Sequence, residues 1–386
     1  MPTDSFNRRQ FLASSSALVV GGLSASGLTA FAAPAATSTP RLRLIGETRL
    51  PHKLPFQNTS VGGLSGIDFD PANGLLYLIS DDGGRQNPPR FYTARLALTS
   101  DKLGDIELTG VTFLKGLTAP DPEAIRWHAT SQSLLWTSEG NALLRAAPSL
   151  QQARPNGSLL RTFKLPEMFN FDLLDTVNNQ GPRINKTFEG LALTPDGRSA
   201  WVSMEAALRQ DGPEPTPAAP GGPCRFTQID IDSGNVIRQI AYIPDAIPRA
   251  PSLPGAHADN GVAEILMLDE HRMLVLERAY MPGLAPTLSL SLLLYAIDTR
   301  QASDTLNVAA LKPGTYLPAG KTQVADFADF PALATLDNTE GMCWGPTLPG
   351  NATRPGSRTL LFVSDDNFSS RQITQLLAFE FLESTP

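Results

Sequence analysis

The sequence is poor in the residues that build several common functional sites. It has two cysteines, Cys224 and Cys343, and four histidines among 386 residues. Two thiols exclude a zinc–cysteine cluster and a disulfide framework, and permit one bridge at most. The histidines His52, His128, His257 and His271 share no metal-ligand spacing, which removes an all-histidine centre. Charged residues are sparse at 18%, and the net charge is −7. That balance argues against a nucleic-acid or anionic-membrane surface. Beyond the amino-terminal segment no apolar run approaches the roughly 18 residues of a membrane span, so no stable anchor is expected. Collagen, coiled-coil and disordered compositions are absent too. What is abundant is punctuation. The 31 glycines and 33 prolines make up about 17% of the chain against roughly 12% on average, which suits many short strands and turns.

Residues 1–39 read as an address, not as fold. Asn7-Arg8-Arg9-Gln10-Phe11-Leu12 is a twin-arginine pattern, followed by a weakly apolar run from Ala13 to Ala33 and small residues at Ala30-Phe31-Ala32. Such a signal is read by a receptor and removed. The expectation is a bacterial periplasmic or secreted protein, folded before passage through the twin-arginine export machinery, with residues 40–386 as the mature domain.

Five segments of that domain repeat one design. Ser65-Gly66-Ile67-Asp68-Phe69 leads to Leu75-Leu76-Tyr77-Leu78-Ile79-Ser80-Asp81, and Glu123-Ala124-Ile125-Arg126-Trp127 leads to Leu134-Leu135-Trp136-Thr137-Ser138-Glu139. Parallel pairs open at Glu189, Glu264 and Glu340 and close at Glu205, Glu277 and Asp365. Each reads as strand, tight turn, strand, with turn chemistry at Asp70-Pro71-Ala72-Asn73-Gly74, Pro195-Asp196-Gly197 and Asp269-Glu270-His271. A mixed third strand and a polar fourth strand follow, as at 90–96 then 106–114, and 225–230 then 236–243. Four such strands make a propeller blade. The last unit lacks its fourth strand, and the orphan strand 41–46 supplies it, which removes two exposed edges. The expected fold is all-β: a single β-propeller of five four-stranded blades closed by the N-terminal strand. A sixth blade within one of the insertions 140–187, 206–260 or 279–338 stays open.

The acids repeat with the hydrophobics. From Ser65 to Asp81, Glu123 to Glu139 and Glu189 to Glu205 the offset is 16 residues. In an antiparallel pair the start of one strand and the end of the next share an edge, so a ring of blades gathers these carboxylates at one mouth. Asp82 and Asp366 add to them. Any single acid at a strand end caps a turn more often than it acts; the shared register makes the group a candidate cation or substrate mouth. Nearby Arg85, Arg126, Lys186 and Arg278 are too few to neutralise it. The remainder points to a hard divalent cation, calcium first, with oxygen ligands. Gly63-Leu64-Ser65-Gly66 falls short of a nucleophile elbow because Ile67 stands where the second glycine belongs. Trp127, Trp136, Trp201 and Trp344 are expected in the core, His128 and His271 at the surface, and His257 is a candidate for the mouth.

The phrases Leu64-Ser65-Gly66-Ile67-Asp68, Ile79-Ser80-Asp81-Asp82-Gly83-Gly84-Arg85, Asp121-Pro122-Glu123-Ala124-Ile125, Phe188-Glu189-Gly190-Leu191-Ala192, Leu276-Glu277-Arg278, Asn338-Thr339-Glu340-Gly341-Met342 and Ser364-Asp365-Asp366-Asn367-Phe368 resemble the phytase-like family of exported bacterial propellers. The family is also called "esterase-like activity of phytase", and the resemblance runs over about residues 41–383. It implies a hydrolase of phosphate or carboxylic esters. The lysine-rich phosphate site of the calcium-dependent propeller phytases is not found, so phytate itself is not implied. The expected metal ligands are Glu189, Glu264, Glu340 and Asp365. Glu123 or Asp81 is the expected general base, Arg85 and Arg278 neutralise developing charge, and Asp82, Glu205, Glu277, Asp366 and Asn367 bind substrate. The chain is expected to act as a monomer on a small ester. A non-catalytic binding propeller and a calcium-dependent lactonase-type propeller are the alternatives.

Overall fold

The hairpin turns carry the chemistry that their residues dictate. Asp70 accepts hydrogen bonds from the Ala72 N–H and the Asn73 side chain, Asp196 from the Arg198 N–H, and Asp269 from the N–H groups of His271 and Arg272. Each side-chain oxygen thus substitutes for a backbone acceptor within a tight turn. Leu134-Leu135-Trp136 and Leu274-Val275-Leu276 are apolar on consecutive residues because both faces of these strands are covered.

The computed structural model describes residues 41–116, 120–171, 179–253, 255–284, 289–333, 335–350 and 356–383. The twin-arginine segment lies outside them. Strand β1 (Arg41–Leu50) is followed by a small hairpin, β2 (Leu54–Phe56) and β3 (Thr59–Val61). Blade 1 comprises β4 (Leu64–Asp70), β5 (Leu75–Ser80), β6 (Arg90–Leu98) and β7 (Leu103–Phe113). Blade 2 comprises β8 (Pro122–His128), β9 (Ser133–Ser138), β10 (Ser149–Ala153) and β11 (Leu159–Thr162). Blade 3 is built from β12 (Phe188–Leu193), β13 (Ser199–Met204), β14 (Cys224–Asp230) and β15 (Val236–Tyr242). Blade 4 has β16 (Asp259–Met267), β17 (Arg272–Tyr280), β18 (Leu290–Asp298) and β19 (Lys321–Asp326). Blade 5 has β20 (Thr339–Trp344), β21 (Arg358–Ser364) and β22 (Thr374–Leu382), with β1 as its outer strand.

These five four-stranded antiparallel sheets form a five-bladed propeller. Strand β1 pairs with β22 from Arg41 opposite Leu382 to Leu50 opposite Thr374, so the N-terminal strand closes the ring. Among its described residues the insertion 140–187 holds no sixth blade; it supplies β10 and β11, whose turn contains Asn156-Gly157. Apolar side chains fill the spaces between neighbouring sheets, one cluster joining blades 2, 3 and 4 and others joining blades 1 and 5, 4 and 5, and 1 and 2. Cys224 and Cys343 are both free thiols, buried on blades 3 and 5.

One irregularity recurs in every blade. The innermost strand carries a bulge in its first half, between Leu64 and Gly66, Pro122 and Ile125, Phe188 and Leu191, Val262 and Glu264, and Thr339 and Gly341. A bulge lifts a residue out of the ladder and re-aims its side chain. The residues lifted are Ser65, Glu123, Glu189, Ala263 and Glu340. Blade 4 is therefore one residue out of step with the repeat read from sequence: Ala263, not Glu264, is the equivalent of Glu123. The slip extends to its second strand. Arg278 opposes Gly261, the place held elsewhere by Asp81, Glu139, Glu205 and Asp365, whose N–H groups bond to Gly63, Asp121, Thr187 and Asn338.

Glu264 consequently sits where the other blades have Gly66, Ala124, Gly190 and Gly341. A Cβ at Gly66 would stand 2.4 Å from the Glu123 carbonyl oxygen, so only a small residue fits between blades 1 and 2 there. The Glu264 carboxylate instead meets Arg126 at 2.8 Å and accepts the Leu191 and Ile265 N–H groups. Arg126 in turn donates to the carbonyls of Ile67, Ile125, Ile265 and Met342. All five blades thus bond to one buried ion pair on the propeller axis. Removing one partner strands the other charge in the core, so Arg126→Met is expected to cost about 3–5 kcal/mol, whereas Arg126→Met with Glu264→Met recovers most of it. Chemical denaturation checks this, and a double variant weaker than the single one contradicts it.

Candidate functional site

The bulges and strand ends open onto a cavity of about 210 Å³ at the start of the innermost strands. It is lined by nine carboxylates (Asp81, Asp121, Glu123, Glu139, Glu189, Glu205, Asp259, Glu340 and Asp365) together with Arg85, Arg278, Asn185 and Asn367. Blade 1 contributes Asp81 and Arg85; blade 2 and its entry, Asp121, Glu123 and Glu139; blade 3, Glu189 and Glu205; blade 4, Asp259 and Arg278; blade 5, Glu340 and Asp365.

Protein partners satisfy part of this set. Arg278 reaches Glu340 at 3.3 Å and Glu205 at 3.4 Å. Arg85, largely exposed, lies 3.9 Å from Asp121. Asn338 donates to Glu340, the Thr187 N–H to Glu139 and the Asn367 N–H to Asp365. Asp259 is paired with Lys186, which also holds Glu214. By contrast, among the described residues no donor reaches the carboxylates of Asp81, Glu123 or Glu189. Oxygens of Asp121, Glu123 and Glu139 lie within 4.8 Å of one another, as do those of Glu139, Glu189 and Glu205. Glu139 belongs to both groups. A third trio, Glu214, His257 and Asp259, already has the Lys186 ammonium between two of its members.

Burial and mutual repulsion govern the protonation of the cavity. Burial, then the neighbouring Glu205, pushes the Glu139 carboxyl up to about 8. Burial lifts Glu205 to about 7 although Arg278 opposes it, and Asp121 to about 6 against Arg85. Asp81, Glu123, Glu189 and Asp365 are raised well above the usual carboxylate range, first by burial and then by the adjacent acids. Asp259 is the exception: burial would raise it, but Lys186 holds it below the ordinary value. Crowded acids in such a site either keep protons or receive a cation. The donor chemistry fits a hard divalent ion, since every free group is a carboxylate oxygen.

The remaining acids singled out from sequence lie elsewhere. Glu264 is in the axial ion pair. Glu277 accepts from Tyr242, Asn260, the Asp245 N–H and Lys321, and so clasps blades 3 and 4. Asp82 is paired with the buried Arg90 and accepts the Gly84 and Asn87 N–H groups. Asp366 accepts the Gly63 and Phe368 N–H groups, with His52 at 3.4 Å, and ties blade 5 to blade 1. These four fasten the rim and do not line the cavity. His257 does not line it either, and His128 is buried, bonded to the Gly197 carbonyl and Ser131, not at the surface. Asp121 and Asp259 were missed as site residues because they precede the repeat; Asp121 stands two residues before the opener Glu123.

The raised values make a testable demand on stability. A carboxyl whose value is higher folded than unfolded keeps its proton in the native state after the unfolded chain has lost it, so stability falls as pH rises between the two values. For Glu205 and Glu139 the window runs from about 4.5 to about 7 and 8. In chelator, thermal stability is expected to decline from pH 5 to pH 8, and Glu139→Gln to flatten the decline. A midpoint that climbs through this window contradicts the assignment.

Solved structures similar to the chain include hydrazine synthase of Kuenenia stuttgartiensis, with 13% identity, covering 81% of this chain and 80% of that one, at a TM-score of 0.33. The Swd1 β-propeller domain of Myceliophteria thermophila has 10% identity, 89% and 100% coverage, and a TM-score of 0.32. Scores at this level carry no argument, and the blade count rests on the sheets themselves. No protein of curated function matches the chain. The profile of the Phytase-like family, described as "Esterase-like activity of phytase", matches residues 59–368, a span that contains all nine cavity carboxylates and supports hydrolase chemistry. The chain belongs to the Phytase-like family.

Proposed function

We propose that this propeller is an exported hydrolase of phosphate or carboxylic esters, working with a divalent cation, calcium by donor chemistry, at the acidic mouth. The observation that carries the reading is the cluster of cavity carboxylates, two trios of which bring oxygens within 4.8 Å, with Glu123 in one and Glu189 in the other bearing no protein donor among the described residues. Asp121, Glu123, Glu139, Glu189 and Glu205 would hold the ion. This revises the ligand set expected from sequence: Glu264 is committed to Arg126, and Glu340 and Asp365 belong to neither trio. The cation would supply Lewis acidity toward an ester or phosphoryl oxygen.

The chain's own groups would do the rest. Asp81 and Asp365, from blades 1 and 5, belong to neither trio, and after burial the Asp365 charge is the largest influence raising Asp81. Both carboxyls are raised by burial and by neighbouring acids, so such a pair would keep a proton that an exposed carboxyl gives up. Its ionised member would accept the proton of the attacking water, and its protonated member would deliver one to the departing oxygen. Arg278, kept in place by Glu205 and Glu340, would face the negative charge that develops on the substrate, and the exposed Arg85 would receive an anionic group at the entrance. Asn367 is a hydrogen-bond partner at the same rim. The twin-arginine pattern at Arg8-Arg9 supports export to the periplasm or beyond, and the closed ring is consistent with action as a monomer.

The test is hydrolysis of p-nitrophenyl phosphate and p-nitrophenyl acetate by the mature chain. Chelator is expected to abolish turnover and calcium to restore it. Asp81→Asn should lower kcat by about 10²–10⁴-fold while leaving bound calcium unchanged, and Glu139→Gln should lose the calcium itself. Turnover indifferent to chelator overturns the cation, and an unaffected Asp81→Asn overturns the base.

A further inference from the structure

At the opposite ends of the same innermost strands lies a second, larger cavity of about 470 Å³. The axial Arg126–Glu264 pair separates the two layers of strand residues that line them. The walls here are of another kind: Trp127, Trp344, Phe69, Leu193 and Leu266 surround Asp68. Trp127 is stacked on Tyr77 at 5.4 Å between centroids, which fixes its ring. Trp344 donates its indole N–H to the Met267 carbonyl and meets Phe381 edge-on, so it too is held. Trp127 belongs to the core, as expected, and Trp344 packs against it, and each also presents part of its held ring to the opening.

The charges around this cavity are spoken for, with one exception. Arg126 is neutralised by Glu264. Arg358 pairs with Glu383 and lies over the Trp344 ring at 3.9 Å. Asp269 pairs with Arg272 at 2.6 Å, and the exposed Glu270 has His271 at 4.0 Å. Asp68 alone among the described lining acids has no ion-pair partner within 4 Å; it accepts the Trp127 N–H at 2.7 Å. Burial outweighs the field of Arg126 and lifts its carboxyl to about 6, which still leaves it ionised at neutral pH. A half-buried carboxylate among aromatic and aliphatic walls gains when a counter-ion with an apolar body arrives. Aromatic faces add attraction for a cation, and the volume falls in the range of small-molecule sites.

We propose that this lower cavity is a second ligand site, for a small organic cation with an apolar body, an aromatic or alkyl ammonium or amidinium, with Asp68 as counter-ion and Trp127 and Trp344 as walls. The site is separate from the acidic mouth and does not depend on hydrolysis or on the cation held there. Its ligand would enter along the axis from the face opposite the one where esters would bind.

Isothermal titration of the mature chain with benzamidinium, and with neutral benzamide as the isostere, tests the proposal. Calcium is kept saturating so that the acidic mouth is not a competing sink. Benzamidinium is expected to bind at least tenfold more tightly than benzamide, and Asp68→Asn to erase that preference, while Asp81→Asn in the other cavity, which keeps its calcium, leaves it intact. Leu193→Trp, which fills the space without touching a charge, should abolish binding of both and serves if Asp68→Asn does not fold. Equal binding of the two probes, a preference that survives Asp68→Asn but disappears with Asp81→Asn, or binding unaffected by Leu193→Trp would each overturn the proposal.

Discussion

Repulsion among buried carboxylates is the constraint around which this molecule is organised. A propeller brings the starts of its five innermost strands to one small opening, and the recurrent bulge turns a side chain from each strand toward it. In three of the five blades that side chain is a glutamate. Four blades add an acid from the end of the next strand. With Asp121 and Asp259, nine carboxylates share a cavity of about 210 Å³ with two arginines. At that density full ionisation without a cation is prohibitive, and the raised values of Glu123, Glu139, Glu189 and Asp365 express it. The ring must also resist being pushed open, and the Arg126–Glu264 pair lies beneath the cavity with bonds into all five blades.

Blade 4 breaks the pattern in an informative way. Where its neighbours place a glutamate and an acid, it places Ala263 and Arg278. The arginine stands in the ring at an acid's position, so its guanidinium is surrounded by carboxylates from both adjoining blades and bonds to Glu205 and Glu340. A symmetric ring would offer a cation five equivalent walls. This one has a positive side at blade 4 and a negative side across blades 2 and 3, where Glu123 and Glu189 have no protein donor among the described residues, which gives a bound anion and a bound cation different places to go.

The fold was legible in the sequence because its signals are local. Apolar doublets such as Leu134-Leu135, Asx turns such as Asp269-Glu270-His271, and the orphan strand that begins at Arg41 each carry their meaning within a few residues, and five repeats reinforced one another. The site was legible in part, for the opposite reason. A bulge leaves no mark on composition, so the Glu264–Glu277 pair looked like an opener and a closer when each was one residue out of register. Asp82 and Asp366 lie beside true cavity residues, yet their oxygens turn toward backbone N–H groups, a choice set by loop conformation. Strands β10 and β11 escaped notice because Ser149–Ala153 and Leu159–Thr162 are short and polar. The second cavity had no sequence signal, since Asp68 and Trp344 come from blades 1 and 5 and meet only when the ring closes.

Infrared difference spectroscopy on the mature chain at neutral pH, before and after addition of calcium, tests the central claim most directly, because it reads the protons that keep the mouth tolerable. The account predicts loss of the protonated carboxyl C=O band and a matching gain of carboxylate bands, with Glu139→Gln diminishing both. A spectrum in which the cavity acids are already ionised without cation, and unchanged when it is added, would contradict it.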